Sequence, residues 1–360
     1  MHISKTTKSV VDSCRFCWMC RHVCPVGNAS GQERNTARAR ALACSLVIRD
    51  AATLEDVADN IYECTLCGAC TNNCVTGWDP KIFVEEFKTQ LAIQGKMPEY
   101  VSRLVDTYFK KGNIYGKDVS SLSEYLKRDS RSALVVGQDA MYRFPESVKN
   151  VVALLEKAKT EMYIDESTSD TGYTLYFLTG KTNETQEAMK KWADSIAKFD
   201  IVVFYDPCDM AFVAHQYKEW GISVKPALIS FNNYLLQLIK QGKLILKTSG
   251  KEYSLQDHFA YSRDLEEESG RELIKAVGKN KEMFLIKKET NLAGHLIMNE
   301  WMPEIMKIMA HRRLVDAKNM SVTTLVTESP SEQTILKENT EVTGVRVISV
   351  EEMILENLEV

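Results

Sequence analysis

Nine of the ten cysteines in this 360-residue sequence lie in its first 74 residues, and Cys208 stands alone in the remainder. The nine resolve into Cys14-x2-Cys17-x2-Cys20-x3-Cys24-Pro25 and Cys64-x2-Cys67-x2-Cys70-x3-Cys74, with Cys44 between the two runs. A secreted disulfide scaffold would be shorter and would spread its cysteines more evenly. Soft thiolates in fours suit iron–sulfur clusters or zinc, but zinc sites ordinarily use paired two-cysteine knuckles instead of runs of four. The spacing is that of bacterial two-cluster loops. Three thiolates two residues apart wrap one cubane, and the fourth, three residues on, has turned the corner toward the other. The pattern predicts two [4Fe–4S] clusters, one on Cys14, Cys17, Cys20 and Cys74 and one on Cys64, Cys67, Cys70 and Cys24. Pro25 follows the first run where Val75 follows the second, which alters the local turn and leaves the ligand count intact.

The elements that must position these thiols read as helices. Between the runs, positions 32 to 50 are rich in Arg and Ala, with Ala37, Ala41, Leu42 and Leu46 at helical spacing. Thr53-x-x-Asp56 is a capping box that opens a second helix and delivers the chain to Cys64. After the second run, Asp79 and Pro80 start a helix with the apolar stripe Ile82, Phe83, Phe87 and Leu91, ending near Gly95. Cys44 falls in mid-helix and reads as a buried small hydrophobe. Arg34, Arg38 and Arg40 read as a solvated face, with the steering of an acidic carrier as the alternative. Phe16 and Trp18 stand where they can shield the first cluster from water, or simply pack.

Beyond position 130 the pattern changes to alternating strands and helices, which argues for parallel sheets. ALVVG at 133 to 137, TLYFL at 174 to 178, DIVVFY at 200 to 205, EMFLI at 282 to 286 and TTLVT at 323 to 327 read as strands, and 145 to 157 as a helix. IVVFYDPCD and the later GISVKPALISFNNYLLQLI parallel TTLVTESPSE and TGVRVISVEEMILENL, which marks an internal repeat. The expected architecture is α+β and multidomain: a helical ferredoxin-type two-cluster domain at 1–98, a helical linker at 99–130, and two α/β repeats at 131–245 and 246–360.

Net charge is −4, with eight acids against two bases from Glu328 onward, so no basic footprint for nucleic acid appears and the tail reads as a solvated face. No apolar run approaches the roughly 18 residues of a membrane helix. The opening MHISKTTKSVVDSC has no apolar core of a signal peptide, and the expected location is the cytoplasm. Neither GxGxxG nor GxxxxGK[ST] occurs, and no nucleophile constellation stands out, so no catalytic residue is assigned.

A helical two-cluster module followed by two α/β repeats resembles the iron–sulfur subunits of the glycolate oxidase, anaerobic glycerol-3-phosphate dehydrogenase and heterodisulfide reductase group. In that group each repeat carries a lone cysteine, a Cys-Cys-Gly and a Cys-Pro-x-Cys. Here the matching positions are stripped: Gly137-Gln138, Leu178-Thr179-Gly180 and Asp206-Pro207-Cys208-Asp209 in the first repeat, and Asp257-His258-Phe259, Leu292-Ala293-Gly294 and Ser329-Pro330-Ser331-Glu332 in the second. One cysteine cannot hold a cubane, so the repeats are expected to carry no metal. Asp206, Asp209, His258 and His295 offer hard and imidazole donors whose spacing demands no site. Cys208, between two aspartates, is expected to have a raised pKa and a structural role.

The resemblance implies an electron-transfer subunit of a flavin-containing oxidoreductase of anaerobic metabolism. Its partners would be an FAD-linked dehydrogenase subunit and a further carrier, such as a ferredoxin, a quinone-linked carrier or an iron–sulfur subunit. Two alternatives differ in class: a catalytic reductase of the heterodisulfide reductase kind, and a scaffold or regulatory protein with structural clusters.

Overall fold

The computed structural model describes residues 3–359. Its N-terminal part is helical, and the starts of the helices are those that local chemistry dictates. Thr36 caps the helix Ala37–Ile48 by accepting from Ala39 N. Thr53 and Asp56 cap each other's backbone at the start of Leu54–Tyr62. Asp79 Oδ1 accepts from Lys81 N at 3.0 Å where Lys81–Ile93 begins. That helix buries Phe83, Phe87 and Leu91 as expected but turns Ile82 outward, with Val84 taking its place in the core.

The helix Ala37–Ile48 differs from expectation. Leu42 and Leu46 are exposed, and the buried face is Ala37, Arg40, Ala41, Cys44 and Val47. A helix buries positions three and four apart, and Ala37, Ala41 and Cys44 set that register. Arg40 therefore belongs to the interior and not to a solvated or steering face. Its guanidinium is accommodated because three backbone carbonyls accept from it: Asn60 O at 2.8 Å, Asn35 O at 2.7 Å and Glu63 O at 2.7 Å.

The remainder contains two all-parallel sheets. In the first, β1 (Ser132–Val135), β2 (Ile201–Phe204) and β3 (Ala227–Ser230) lie in the order β1-β2-β3. In the second, β4 (Glu252–Gln256), β5 (Lys279–Asn280), β6 (Thr324–Thr327) and β7 (Arg346–Ser349) lie in the order β5-β4-β6-β7. A parallel bridge from Ala133 to Tyr163 occupies in the first sheet the place that β5 holds in the second. A π-helical turn, Asp139–Arg143 in one half and Ala260–Leu265 in the other, follows the first strand. Ser230 and Ser349 each end a strand and cap the next helix. The repeat seen in the sequence is thus a repeat of structure.

Two strands expected from sequence are absent. EMFLI at 282–286 lies in a turn after the two-residue β5. TLYFL lies in the helix Tyr173–Thr179, whose residues from Thr174 onward are all buried. A short apolar run buried on every side carries no period, so strand and helix look alike in it. What settles the matter is the N-terminal part. The last carbonyls of a helix lack intrahelical partners, and here Lys88 Nζ donates to Phe177 O at 2.7 Å and Tyr62 OH to Leu178 O at 2.8 Å. One continuous core runs from Phe83 and Phe87 through Phe177 to Leu296 and Val347, joining the helical part to both halves. Among the described residues, no helix is long and apolar enough to cross a membrane.

Gly180 ends this docked helix at φ 68° and ψ −142°, a conformation nearly confined to glycine, and a Cβ there would lie 2.7 Å from Glu85 O. Gly180→Ala is expected to cost about 3 kcal/mol from strain and overpacking together. Gly344→Ala, at φ 71° with open space around it, should cost about 1 kcal/mol. Urea melts compare the two, and equal costs would show that the close approach is unimportant.

A second expectation concerns Glu351, which accepts from Tyr205 OH at 2.7 Å across the two halves. Burial pushes its carboxyl up from 4.5 to about 7, against the hydrogen bonds from Ser349 and Tyr205. The folded state therefore keeps a proton that the unfolded chain releases, so this stabilisation is complete below pH 4.5 and is lost as pH rises to about 7. Glu351→Gln should flatten the stability profile over that interval and be the more stable form above pH 7, by at most about 3 kcal/mol.

Candidate metal centre

The two cysteine runs have the same backbone. Phe16 and Leu66, each just before the second cysteine of its run, have φ of 53° and 55°, and Trp18 and Gly68, each just after it, have φ of 74° and 71°. A short helix follows in each case, Met19–Val23 and Ala69–Asn72. These left-handed turns fold three cysteines around a common space, as their x2 spacing requires. Glycine takes such a conformation freely, whereas tryptophan there costs about 1–2 kcal/mol. The first run accepts that cost, and its Trp18 ring lies under the Arg38 guanidinium at 4.0 Å from the ring centroid.

Two cavities are bounded by cysteines. One, of about 150 Å³, is lined by Cys14, Cys17, Cys20 and Cys74, with Cys70 at its edge and Trp18 and Trp78 in its wall. The other is lined by Cys64, Cys67, Cys70 and Cys24. The structure thus brings the fourth cysteine of each run to the first three of the other, and Cys70 borders both cavities. Among the described residues no three His, Cys, Asp or Glu side chains converge as they would on a single ion. Thiols spaced around a cavity are instead what a polynuclear cluster takes.

The electrostatics fit such a group. Burial pushes the Cys24 thiol up to about 11, opposed by the Arg40 guanidinium and by Gly27 N, which lies 3.4 Å from Cys24 Sγ. Burial also raises Cys20 and raises Cys70 strongly. At Cys74 burial is outweighed by hydrogen bonds from Thr76 and the Trp78 backbone, which leave the thiol below its usual value. Iron held at these thiols would supply the positive charge that favours their deprotonated form. Arg40, whose own charge Cys64, Cys24 and Cys70 favour, is a fixed counter-charge beside the second cavity. Its place on the Ala37, Ala41, Cys44 face was the sequence signal for its burial.

The second half of the chain also reaches this centre. Arg263 Nη1 donates to Cys67 O at 2.8 Å, and Asn72 and Asn73 donate to Glu289 at 2.7 and 2.9 Å. Nothing in the sequence marks these contacts. Phe16 and Trp18 are 49% and 44% exposed, and of the two only Trp18 lines a cysteine cavity.

The remaining sequence-derived candidates lie apart from both tetrads. Cys44 is fully buried and burial raises its thiol pKa, as befits a small hydrophobe. Cys208 sits in the first turn of Pro207–Glu219 with Sγ 4.0 Å from His258 Nε2. Its pKa is raised first by burial and then by Asp206, so the neighbouring aspartate is the smaller cause. Asp206 accepts from Cys208 N at 2.7 Å as a helix cap, and Asp209 accepts from Thr171. Burial lowers His258 and His295 to about 3, leaving both rings neutral at pH 7. The stripped positions of the second half are occupied by buried hydrogen-bonded carboxylates: Asp257 is held bidentately by Arg271, and Glu332 accepts from Gln256 at 3.0 Å and from Ala293 N at 2.7 Å.

No curated protein matches the sequence. Among solved structures the fold is similar to that of a hypothetical protein from Helicobacter pylori, with a TM-score of 0.57 over 99% of this chain and 73% of that one. Sequence identity is 9%, so the likeness is one of fold alone. Residues 10–78, which contain both cysteine runs, match the 4Fe-4S dicluster domain family. The match covers the N-terminal part of the chain and supports an iron–sulfur protein with a 4Fe–4S domain of the dicluster type.

Proposed function

We propose that the chain is an electron-transfer subunit carrying two [4Fe–4S] clusters, the first on Cys14, Cys17, Cys20 and Cys74 and the second on Cys64, Cys67, Cys70 and Cys24. The observation that carries this is the pair of adjoining cavities, each lined by the first three cysteines of one run and the fourth of the other, with Cys70 bordering both. Clusters of this kind supply one-electron chemistry over a wide span of potentials. The protein's part is to hold the ligands, seal the second site with Arg40 and Val84, and leave the first near the surface, where Cys17 is exposed. On this reading single electrons pass between the flavin of an FAD-linked dehydrogenase partner and a further carrier. Its cellular setting is the cytoplasm. Anaerobic affinity purification from the native host should recover an FAD-containing protein with the chain, and recovery of the chain alone would overturn the flavin partner.

Anaerobically prepared protein should contain about eight irons and eight sulfides per chain, and substantial zinc would refute the assignment. Cys74→Ser should remove the electron paramagnetic resonance signal of the cluster built by Cys14, Cys17 and Cys20 while sparing the other. Loss of the second cluster alone would refute the exchange of fourth ligands. Cys208→Ala should leave the iron content unchanged.

Trp18 provides a further check. Trp18→Gly relieves a left-handed tryptophan and should stabilise the fold by about 1 kcal/mol. It also opens the wall of the first cavity, so that this cluster is bleached by air several times faster than the second. An unchanged bleaching rate would show that the ring does not protect it.

A further inference from the structure

An open cleft of about 780 Å³ lies between the second cysteine run and the two halves of the chain. Thr65, Leu66 and Lys81 line both this cleft and the cavity bounded by the second tetrad. With Cys70 shared by the two cysteine cavities, three spaces stand in series, beginning beneath Trp18 and ending in the cleft. Its volume falls within the roughly 300–1,000 Å³ of small-molecule sites.

The lining defines what such a molecule is. Its cations are engaged: Lys81 with Asp264 at 3.4 Å, Lys181 with Glu219 at 2.8 Å, and Arg263 with the carbonyls of Cys67, Lys288 and Thr290. Glu86 adds negative charge, so a phosphate or carboxylate is disfavoured. The rings of Tyr173, Tyr176, Phe212 and Phe259 give the wall an aromatic surface. One polar atom of the wall, Gln216 Oε1, is buried without a hydrogen-bond partner, and Tyr176 OH lies beside the Glu85 carboxyl without a well-formed hydrogen bond. An unpartnered buried atom costs about 1–3 kcal/mol until something pairs with it.

We infer that this cleft binds an uncharged, planar, conjugated ring bearing carbonyl oxygens, a quinone or the phosphate-free ring system of a flavin. Tyr176 OH donates to a ring carbonyl, and Gln216 Oε1 accepts from a ring N–H or, after reduction, a ring O–H. The redox part of the inference rests on the reading of the chain as an electron carrier. Reduction of the ring takes two electrons, which the iron–sulfur domain supplies singly from an external one-electron donor, and two protons; two C=O or C=N π bonds give way to one new C=C bond of the ring and two new O–H or N–H bonds. The cleft serves the proton side. Tyr176 passes its hydroxyl proton to the ring and regains one from Glu85, whose carboxyl burial holds above the usual carboxylate range. Glu85 is recharged from solvent, and the second proton enters from solvent through the open mouth.

The test uses the full chain with its iron in place and reads binding directly, by fluorescence quenching for riboflavin and FMN and by equilibrium dialysis for menadione. One saturable site for menadione or riboflavin is expected. Menadione alone would assign a quinone and riboflavin alone a flavin ring. FMN, the same ring as riboflavin with a phosphate added, should bind at least tenfold more weakly. Tyr176→Phe should weaken binding roughly tenfold, the worth of one hydrogen bond. Ala211→Trp, which fills the cleft from its wall, should abolish binding, and if that variant fails to fold Tyr176→Phe decides alone. No saturable binding of either ring, or binding that Tyr176→Phe leaves unchanged, overturns the site. A bound ring beside clusters that dithionite cannot reduce overturns the electron-carrier reading and leaves the site standing, whereas reducible clusters with no bound ring do the reverse.

Discussion

The buried guanidinium of Arg40 is the constraint on which the metal centre depends. It accepts no hydrogen bonds and keeps its charge at any physiological pH, so it can sit in the interior only where acceptors are fixed around it. Those acceptors are backbone carbonyls at Asn35, Asn60 and Glu63. The first closes the stretch after Cys24, and the other two end the helix that leads into Cys64. One side chain thereby clamps the outgoing end of one cysteine run to the incoming end of the other, which is the juxtaposition that sets Cys24 opposite Cys64, Cys67 and Cys70. Removing one partner of such a buried charged network typically costs several kcal/mol, more than any single cap or surface ion pair in the chain contributes.

Two levels of repetition surround this clamp, and in each the departures are more informative than the agreement. The cysteine runs share their left-handed positions, yet one uses Gly68 where the other uses Trp18. The sheets share their parallel order, their π-helical turns and their serine-capped helices, yet in the first half a single bridge at Tyr163 stands for β5. The helix Tyr173–Thr179 belongs to the first half by sequence but owes its carbonyl partners Lys88 and Tyr62 to the helical part. Packing therefore knits the three parts together along one continuous core.

The cysteine arrangement was legible in the sequence because its spacing is a local code: the runs at 14–24 and 64–74 imply two loops, and the fold brings Cys24 and Cys74 to the cavities of the opposite runs. Caps were equally local, so Thr53 with Asp56 and Asp79 before Lys81 marked helix starts that the fold contains. What the sequence could not convey was tertiary. TLYFL has strand-forming residues and no period, and the partners of its last carbonyls, Lys88 and Tyr62, come from a distant part of the chain. Arg40 looks like its neighbours Arg34 and Arg38 until the register of the buried face is known. The cleft, assembled from residues between 4 and 264, has no linear signature at all.

The contact of Arg263 with Cys67 O, and of Glu289 with Asn72 and Asn73, bears on how the protein is made. The cysteines leave the ribosome first, but the loop that carries Cys67 and Cys70 gains its final hydrogen bonds only after roughly two hundred more residues have been synthesised and folded. A nascent chain would present its thiols long before they are held in place, exposed to oxidation and to the wrong metals. Loading of iron and sulfide is therefore most secure as a late event in the life of the chain, and a cell that makes this protein needs some means of keeping nine early thiols reduced while the last third is completed.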